Sequence, residues 1–316
     1  MKKIGATILL SLSLLTSNSQ NFNWIKFNWV GDSISHRYFG KTAIDIPIQI
    51  ENLPYKFTAQ FDLGASNSMI YGNAIAPYLA TDKNLQNKID TSLKTWIDSK
   101  QYPTFKGLSL KLGNVAFSKI NLGYYKSYGD SLTADSVKSN TIKEIGSIGS
   151  DFFRDKVLII DYPNQRICVT DAIPNGFEKN FHFIDLKYTD GAILIRVQIG
   201  DNKENLLFDT GSSLFALITN EKSANEISGE NTAISDSLKI QAWGKLSYIY
   251  GKKVNEDVRM GNAIMPPTLV YYEKKAWDYF FISHHIWGIT GNTYFLNNII
   301  ILDFKNQKFG VSNPVK

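Results

Sequence analysis

Apolar and polar residues alternate with a period of two along several short segments of this chain, which is typical of β-strands. Residues 43–50 read Ala-Ile-Asp-Ile-Pro-Ile-Gln-Ile, and residues 192–199 read Ala-Ile-Leu-Ile-Arg-Val-Gln-Ile. Each segment is followed by a turn and a second apolar run, at residues 56–61 and 205–208. Helical periodicity is confined to three short segments: 75–85, 220–227 and 274–281. The pattern therefore predicts an all-β fold with a few short helices.

Both of the second apolar runs end in an aspartate. The later run leads into Phe208-Asp209-Thr210-Gly211-Ser212-Ser213, and the earlier one into Phe61-Asp62-Leu63-Gly64-Ala65-Ser66. A carboxylate at the end of a buried strand lies in a medium of low dielectric unless it is hydrogen-bonded. Hydroxyl groups, and a glycine that lets backbone N–H groups come close, can supply those hydrogen bonds. Such a site predicts a carboxyl group with a shifted pKa.

The two halves of the chain carry the same landmarks in the same order. Each half has a Gly-x-x-Gly segment, at residues 146–149 and 288–291, and each has an aspartate twelve residues after its second glycine. The match predicts an internal duplication. We expect an N-terminal lobe at residues 21–175 that carries Asp62, and a C-terminal lobe at residues 176–316 that carries Asp209. The turn Pro174-Asn175-Gly176 marks the joint.

Two lobes that each present an aspartate on a glycine-containing loop can place the carboxyl groups face to face across a pseudo-two-fold axis. Two carboxylates about 3 Å apart do not both ionise readily, so the pair shares one proton and titrates as a unit. The ionised member can take a proton from a water between them, while the protonated member polarises a carbonyl. This arrangement predicts amide hydrolysis without a metal ion or a cofactor.

These motifs resemble those of the pepsin-like, two-lobed aspartic peptidases. The resemblance rests on the two aspartate loops and the two Gly-x-x-Gly segments, and it covers roughly residues 40–314. It implies an all-β acid-protease fold with a pseudo-two-fold duplication, and Asp62 and Asp209 as the catalytic pair. The residues that it implies as support for the pair are Gly64, Ala65, Thr210, Gly211 and Ser212. The implied activity is that of an aspartic endopeptidase acting on an extended polypeptide.

The family also has a hairpin flap over its cleft, with a tyrosine about forty residues after the first aspartate. The matching segment here is residues 94–106, in which Tyr102 is the first candidate for this residue and Trp96 the second.

The first aspartate loop departs from the family's pattern. Family members usually carry Thr or Ser directly after the aspartate, and the two hydroxyls interlock beneath the pair; Thr210 fits, but the Leu63 side chain cannot hydrogen-bond. The Asp-x-Gly-Ala order that ends at Ala65 resembles the retroviral branch. One hydrogen bond fewer to the ionised form raises the first pKa of the pair, which predicts activity nearer neutral pH. Leu63 also leaves an alternative, a pepsin-fold protein that binds peptides with little or no turnover.

Composition and the N terminus bear on location and partners. Residues 1–20 have a charged start, an apolar stretch and small residues at the end, which predicts a signal peptide and export to the periplasm or the medium. The apolar stretch is shorter than the roughly 20 residues that a membrane span needs. The net charge of +5 is mild and scattered, so nucleic-acid binding is not indicated. Cys168 is the only cysteine, which excludes an intrachain disulfide, and we expect a monomer.

Residues 129–132, Gly-Asp-Ser-Leu, match the nucleophile motif of a lipase and esterase family. In that family the motif lies near the mature N terminus, and a late Asp-x-x-His completes the triad. Here the motif lies mid-chain, and Asp278 has no histidine three residues later. We interpret the segment as a surface turn and keep an esterase built on Ser131 as a remote alternative.

Overall fold

The computed structural model of the protein describes residues 22–97, 99–242, 245–274 and 278–315. The predicted signal peptide, residues 1–20, lies outside the described residues. Strands in two sheets make up most of the described chain, and its helices are few and short. The prediction of an all-β fold with a few short helices is therefore confirmed.

The first half of the chain builds an eight-stranded sheet. A short strand, β1 (Ile25–Lys26), comes before it and belongs to the other sheet. The strands of the first sheet are β2 (Asn28–Ile34), β3 (Arg37–Ile50), β4 (Phe57–Phe61), β5 (Met69–Tyr71), β6 (Ile89–Ile97), β7 (Lys100–Leu112), β8 (Val115–Tyr125) and β9 (Lys143–Ile148). Their spatial order is β2-β3-β4-β9-β5-β8-β7-β6, and β3 also pairs with β7.

The second sheet contains the remaining strands. They are β10 (Val157–Asp161), β11 (Arg166–Thr170), β12 (Phe181–Thr189), β13 (Ala192–Ile199), β14 (Asn202–Phe208), β15 (Leu217–Asn220), β16 (Asp236–Ala242), β17 (Lys245–Lys253), β18 (Val258–Met260), β19 (Ala263–Ile264), β20 (Leu269–Glu273), β21 (Gly288–Thr290), β22 (Ile299–Asp303) and β23 (Lys308–Ser312). Its main path runs β1-β11-β10-β22-β23-β12-β13-β14-β21-β15-β20-β17-β16.

The described α-helices lie close to the three predicted places, with one addition. They are α1 (Gly72–Thr81), α2 (Lys83–Gln86), α3 (Ala134–Lys138), α4 (Glu221–Ser228) and α5 (Asp278–Ser283). The segment predicted at 75–85 is divided at Asp82, whose carboxylate accepts hydrogen bonds from the N–H groups of Asn84 and Leu85 and thereby caps α2. We did not predict α3, because five residues carry too little periodicity to register.

The same set of strand pairings occurs in both halves. The strand that ends at each aspartate, β4 or β14, runs parallel to the strand of the Gly-x-x-Gly segment, β9 or β21. On its other side, that glycine strand pairs antiparallel with β5 or β15. A further parallel pairing joins β5 to β8 and β15 to β20. The repeated topology confirms the internal duplication and the two lobes.

The two halves meet through the antiparallel pair of β10 and β22. Ile159 faces Ile301 at the centre of this pair, and both side chains are fully buried. Because β10 and β11 precede residue 175 but pair within the second sheet, the strand pairings do not decide where one lobe ends. The boundary near residue 175 stays a prediction.

Apolar side chains from both halves form the main core. It includes Phe61, Leu63 and Phe208, all of which are fully buried beneath the aspartate loops. Burial of apolar surface stabilises a fold by about 25 cal/mol per Å². Among the described helices, none has the length and apolar character to cross a membrane.

Candidate active site

Both aspartates stand at the ends of central strands, as their sequence positions predict. The Asp62 N–H donates to the carbonyl of Ile148 over 3.0 Å, and the Asp209 N–H donates to that of Thr290 over the same distance. Each acceptor belongs to the parallel glycine strand beside the aspartate's own strand. The two loops therefore leave their sheets in the same way, held by equivalent hydrogen bonds.

Backbone N–H groups hold each carboxyl group in place. Asp62 Oδ1 accepts from the N–H groups of Gly64 at 3.0 Å and Ala65 at 3.2 Å. Asp209 Oδ1 accepts from the N–H of Gly211 at 2.8 Å, and the Ser212 N–H donates to the backbone carbonyl of Asp209 at 3.2 Å. The two carboxyl groups are hydrogen-bonded to each other. The loops of the two lobes thus bring their aspartates together as one pair.

The glycine of each loop makes room for the aspartate of the other lobe. A Cβ atom on Gly64 would overlap the carboxyl group of Asp209. A Cβ atom on Gly211 would lie 2.7 Å from Asp62 Oδ1, which is also closer than two such atoms approach. The requirement for glycine at these positions is therefore one of space across the lobe interface.

Thr210 links the two loops beneath the carboxyl groups. Its fully buried Oγ1 accepts a hydrogen bond from the Leu63 N–H and donates one to the carbonyl of Phe61, each over 2.8 Å. Leu63 occupies the equivalent position in the first loop, and its side chain is fully buried in the apolar core. An alkyl side chain cannot return these hydrogen bonds. The side-chain link between the loops is consequently one-sided.

Asn292 is a supporting residue that the sequence reasoning missed. Its fully buried amide group donates to the carbonyl of Thr210 at 2.9 Å and to Ser213 Oγ at 3.0 Å, and its Oδ1 accepts from the Tyr162 hydroxyl at 2.6 Å. The feature of the sequence that could have identified Asn292 is its position directly after the second glycine of residues 288–291. The equivalent residue of the first half is Ser150, also fully buried, so the repeat marks this position twice.

Burial raises the pKa of both carboxyl groups. For Asp209, loss of solvation is the largest cause and the negative charge of Asp62 adds to it, which raises the pKa to about 8. Burial also raises the pKa of Asp62, but hydrogen bonds from Asp209, Ala65 and Gly64 oppose that rise. Both aspartates are of intermediate exposure, so neither residue is sealed from solvent. The two acids therefore form one buried, coupled pair whose pKa values both lie above the usual range of a carboxyl group.

A hairpin occupies the segment predicted as the flap. Strands β6 and β7 pair with Ile97 opposite Lys100, so the hairpin turns within the predicted range 94–106. The Asn67 side chain, five residues beyond Asp62, donates to the carbonyl of Trp96 at 3.0 Å. The Trp96 side chain is 57% exposed, whereas the Tyr102 ring packs edge-on against Tyr125 with centroids 4.9 Å apart. The hairpin tip is thus tied to the first aspartate loop.

The Gly-Asp-Ser-Leu segment lies between β8 and α3, and Ser131 is exposed there. Gly129 has a φ of +83°, which a side chain would strain, and its carbonyl accepts a hydrogen bond from Asn73 at 2.8 Å. Of the chain's four histidines, His182 bonds Asn313 and His284 bonds the carbonyl of Phe280. The positive φ of Gly129 and its hydrogen bond to Asn73 are typical of a surface turn. Across the described ranges, no group of three or more His, Cys, Asp and Glu residues is placed to hold a metal ion.

Comparison with known proteins adds little to this geometry. No protein-family profile matches the chain, and no curated protein matches its sequence. Among solved structures, the chain is similar to the crystal structure of basic 7S globulin from soybean, with 11% sequence identity and a TM-score of 0.49. The alignment covers 92% of this chain and 95% of that one. The two-lobed architecture with its internal duplication therefore rests on the chain's own repeated strand pairings.

Proposed function

We propose that the protein is an aspartic endopeptidase that hydrolyses peptide bonds with a water held between Asp62 and Asp209. The observation that supports this most is the crossed packing of the loops. Each carboxyl group lies against the glycine of the opposite loop, and the two carboxyl groups are hydrogen-bonded to each other. A pair of this kind, sharing one proton, can act as base and acid in the same step.

The reaction follows from the protonation states of the pair. Ionised Asp62 takes a proton from the water, whose oxygen adds to the substrate carbonyl carbon while the proton on Asp209 polarises the carbonyl oxygen. The resulting gem-diol collapses as the C–N bond breaks, and the leaving nitrogen receives a proton from the pair. One water is consumed, one carboxylic acid and one amine are formed, and the pair returns to its starting state.

The substrate that we propose is a polypeptide in extended conformation. It would lie in the space between the lobes, under the hairpin of β6 and β7, whose backbone can pair with an extended chain. We also propose that the protein acts as an exported monomer. That proposal rests on the pattern of residues 1–20 and on the single cysteine, Cys168, which is buried.

A second candidate function is peptide binding with little or no turnover. The one-sided link through Thr210 favours it, because Leu63 of the Asp62 loop has no hydroxyl with which to hold the Asp209 loop in return.

The remote esterase alternative predicts turnover of short acyl esters that is lost in Ser131→Ala.

Digestion of casein and of peptides derived from it tests the proposal. We expect turnover that a statine inhibitor blocks and that falls by about 10³-fold or more in Asp62→Asn and in Asp209→Asn. Asp201→Asn, at an exposed turn residue, is the matched control and retains wild-type turnover. Turnover that survives in both dyad variants would refute the proposal. Peptide binding without turnover in the wild type, with turnover gained in Leu63→Thr, would establish the second candidate.

A further inference from the structure

The first lobe carries a hairpin that is much longer than its counterpart in the second lobe. Strands β2 and β3 are joined by the two-residue turn Ser35-His36, and β12 and β13 by the two-residue turn Asp190-Gly191, all four residues having positive φ. Strand β13 has 8 residues and β3 has 14. At about 3.3 Å per residue, six additional residues extend the first hairpin by about 20 Å.

The shorter hairpin ends at the aspartate loop of the opposite lobe. Its turn residue Gly191 lies against Ser66, four residues beyond Asp62, and its carbonyl accepts a hydrogen bond from Ser150 Oγ. The longer hairpin makes the equivalent contact in its middle. Ser213, four residues beyond Asp209, donates its Oγ hydrogen to the carbonyl of Lys41 at 2.9 Å. Residues 31–41, which we call the strap, extend beyond the point where the other hairpin turns.

Polar contacts anchor the tip of the strap to the edge of the second sheet. Arg37 forms an ion pair with Asp236 at 2.9 Å, and Asp236 also accepts a hydrogen bond from the Tyr271 hydroxyl at 2.8 Å. The Lys239 N–H donates to Ser35 Oγ at 2.8 Å. Asp236 and Lys239 belong to β16, the last strand of the sheet's main path. The strap is therefore held in both lobes.

Apolar contacts fix the strap along the same side of the site. Ile34 and Phe39 pack against a buried cluster of the second lobe that includes Phe215 and Leu238. Phe215 lies six residues after Asp209, so this cluster begins at the aspartate loop itself. The strap consequently runs from beside the dyad to the far edge of the second lobe.

We propose that the strap closes one end of the substrate cleft and limits the enzyme to short peptides and the ends of longer chains. This proposal rests on the function proposed above. A chain that crosses the dyad between the lobes meets the strap on the side of Ser213 and Phe215. Only a few substrate residues fit between the scissile bond and the strap. On the opposite side the shorter hairpin stops at Ser66, and the chain can continue.

One cleavable peptide, prepared in three forms, tests the proposal. The forms are the free peptide, the peptide with a small folded domain fused directly to its N terminus, and the peptide with the same domain fused to its C terminus. We expect one of the two fusions to lower the wild-type kcat/KM by at least about tenfold, while the other is cleaved like the free peptide. A strap-shortened variant, in which Asn-Gly replaces residues 31–42 so that Val30 still pairs with Ala43, should cleave all three forms equally.

A second variant keeps the full length of the strap, so that the proposal can be tested even if the shortened chain does not fold. Arg37→Asp places two acids together at the strap tip and should relieve part of the block, and adding Asp236→Arg should restore it. The strap proposal is overturned if the wild type cleaves both fusions like the free peptide, or if neither variant relieves the block. Cleavage that persists in Asp209→Asn refutes the proposed function instead. If the wild type lacks turnover, its affinities for the three forms test the strap proposal: one fusion should bind at least about tenfold more weakly than the free peptide, and the other should bind like it. Failure to bind any form overturns both proposals.

Discussion

The two aspartate loops have the same backbone and different side chains. The backbone N–H of each aspartate donates an equivalent hydrogen bond to a carbonyl of the neighbouring glycine strand, and both carboxyl groups accept from N–H groups that follow them in the chain. Beneath the pair, Thr210 provides a hydroxyl that binds the first loop, whereas Leu63 packs into the core. Backbone geometry therefore sets the positions of the two carboxyl groups, and side chains decide how firmly each loop is held.

The two acids also differ in the interactions that shift their pKa values. Three hydrogen bonds act to favour the ionised form of Asp62, while the charge of Asp62 raises the pKa of Asp209. A symmetric pair would leave the location of the shared proton undecided. Under the proposed function, we expect Asp62 of the first lobe to act as the base and Asp209 of the second lobe to act as the acid.

The largest expected effect follows from removing the single link between the loops. Thr210→Val leaves the Leu63 N–H and the Phe61 carbonyl buried without partners, and each unsatisfied group costs about 1–3 kcal/mol. We expect the free energy of unfolding to fall by about 2–5 kcal/mol, measured by denaturant titration. Thr91→Val, at an exposed position of β6, is the matched control and should change it by less than about 0.5 kcal/mol. Equal values for the two variants would show that Thr210 is not the link.

The next effect concerns the pH range of turnover. Activity needs one proton on the pair, so it is lost when Asp62 gains a proton at low pH and when Asp209 loses one at high pH. Because burial raises the pKa of Asp62 above its usual range and that of Asp209 to about 8, both limits move upward. We expect kcat/KM to be bell-shaped with its maximum nearer neutral pH than in gastric enzymes. A maximum in strongly acid solution would contradict this assignment.

A smaller effect is expected from making the loops more alike. Leu63→Thr introduces the missing hydroxyl, which can interlock with the second loop, at the cost of some apolar burial. We expect turnover to rise several-fold, equivalent to about 1 kcal/mol, with a loss of about 1–2 kcal/mol in the free energy of unfolding. Leu63→Val, which changes the volume without adding a hydroxyl, serves as the control. A gain in turnover with Val as large as that with Thr would rule out the hydroxyl as its cause.

The sequence was sufficient for the strands, the duplication and the two aspartates, because each rests on local pattern or on repetition. Residues 192–199 form β13 with the predicted bounds, and residues 205–208 form the end of β14. The role of Asn292 depends on contacts with residues about 80 and 130 positions away in the chain, which no local pattern reveals. The strap was out of reach for the same reason, because its anchor at Asp236 is 199 positions from Arg37 in the chain.

The most direct test of the paired carboxyl groups is the pH dependence of stability, which does not require turnover. With raised pKa values, the folded pair keeps a proton that the unfolded chain has released above about pH 4, so the free energy of unfolding falls as pH rises. For one proton the slope is about 1.4 kcal/mol per pH unit, and it ends near the upper pKa of the pair. We predict that the wild type loses stability between pH 4 and pH 8 relative to Asp209→Asn, while Asp201→Asn follows the wild type. Parallel curves for the wild type and Asp209→Asn would contradict a shared proton.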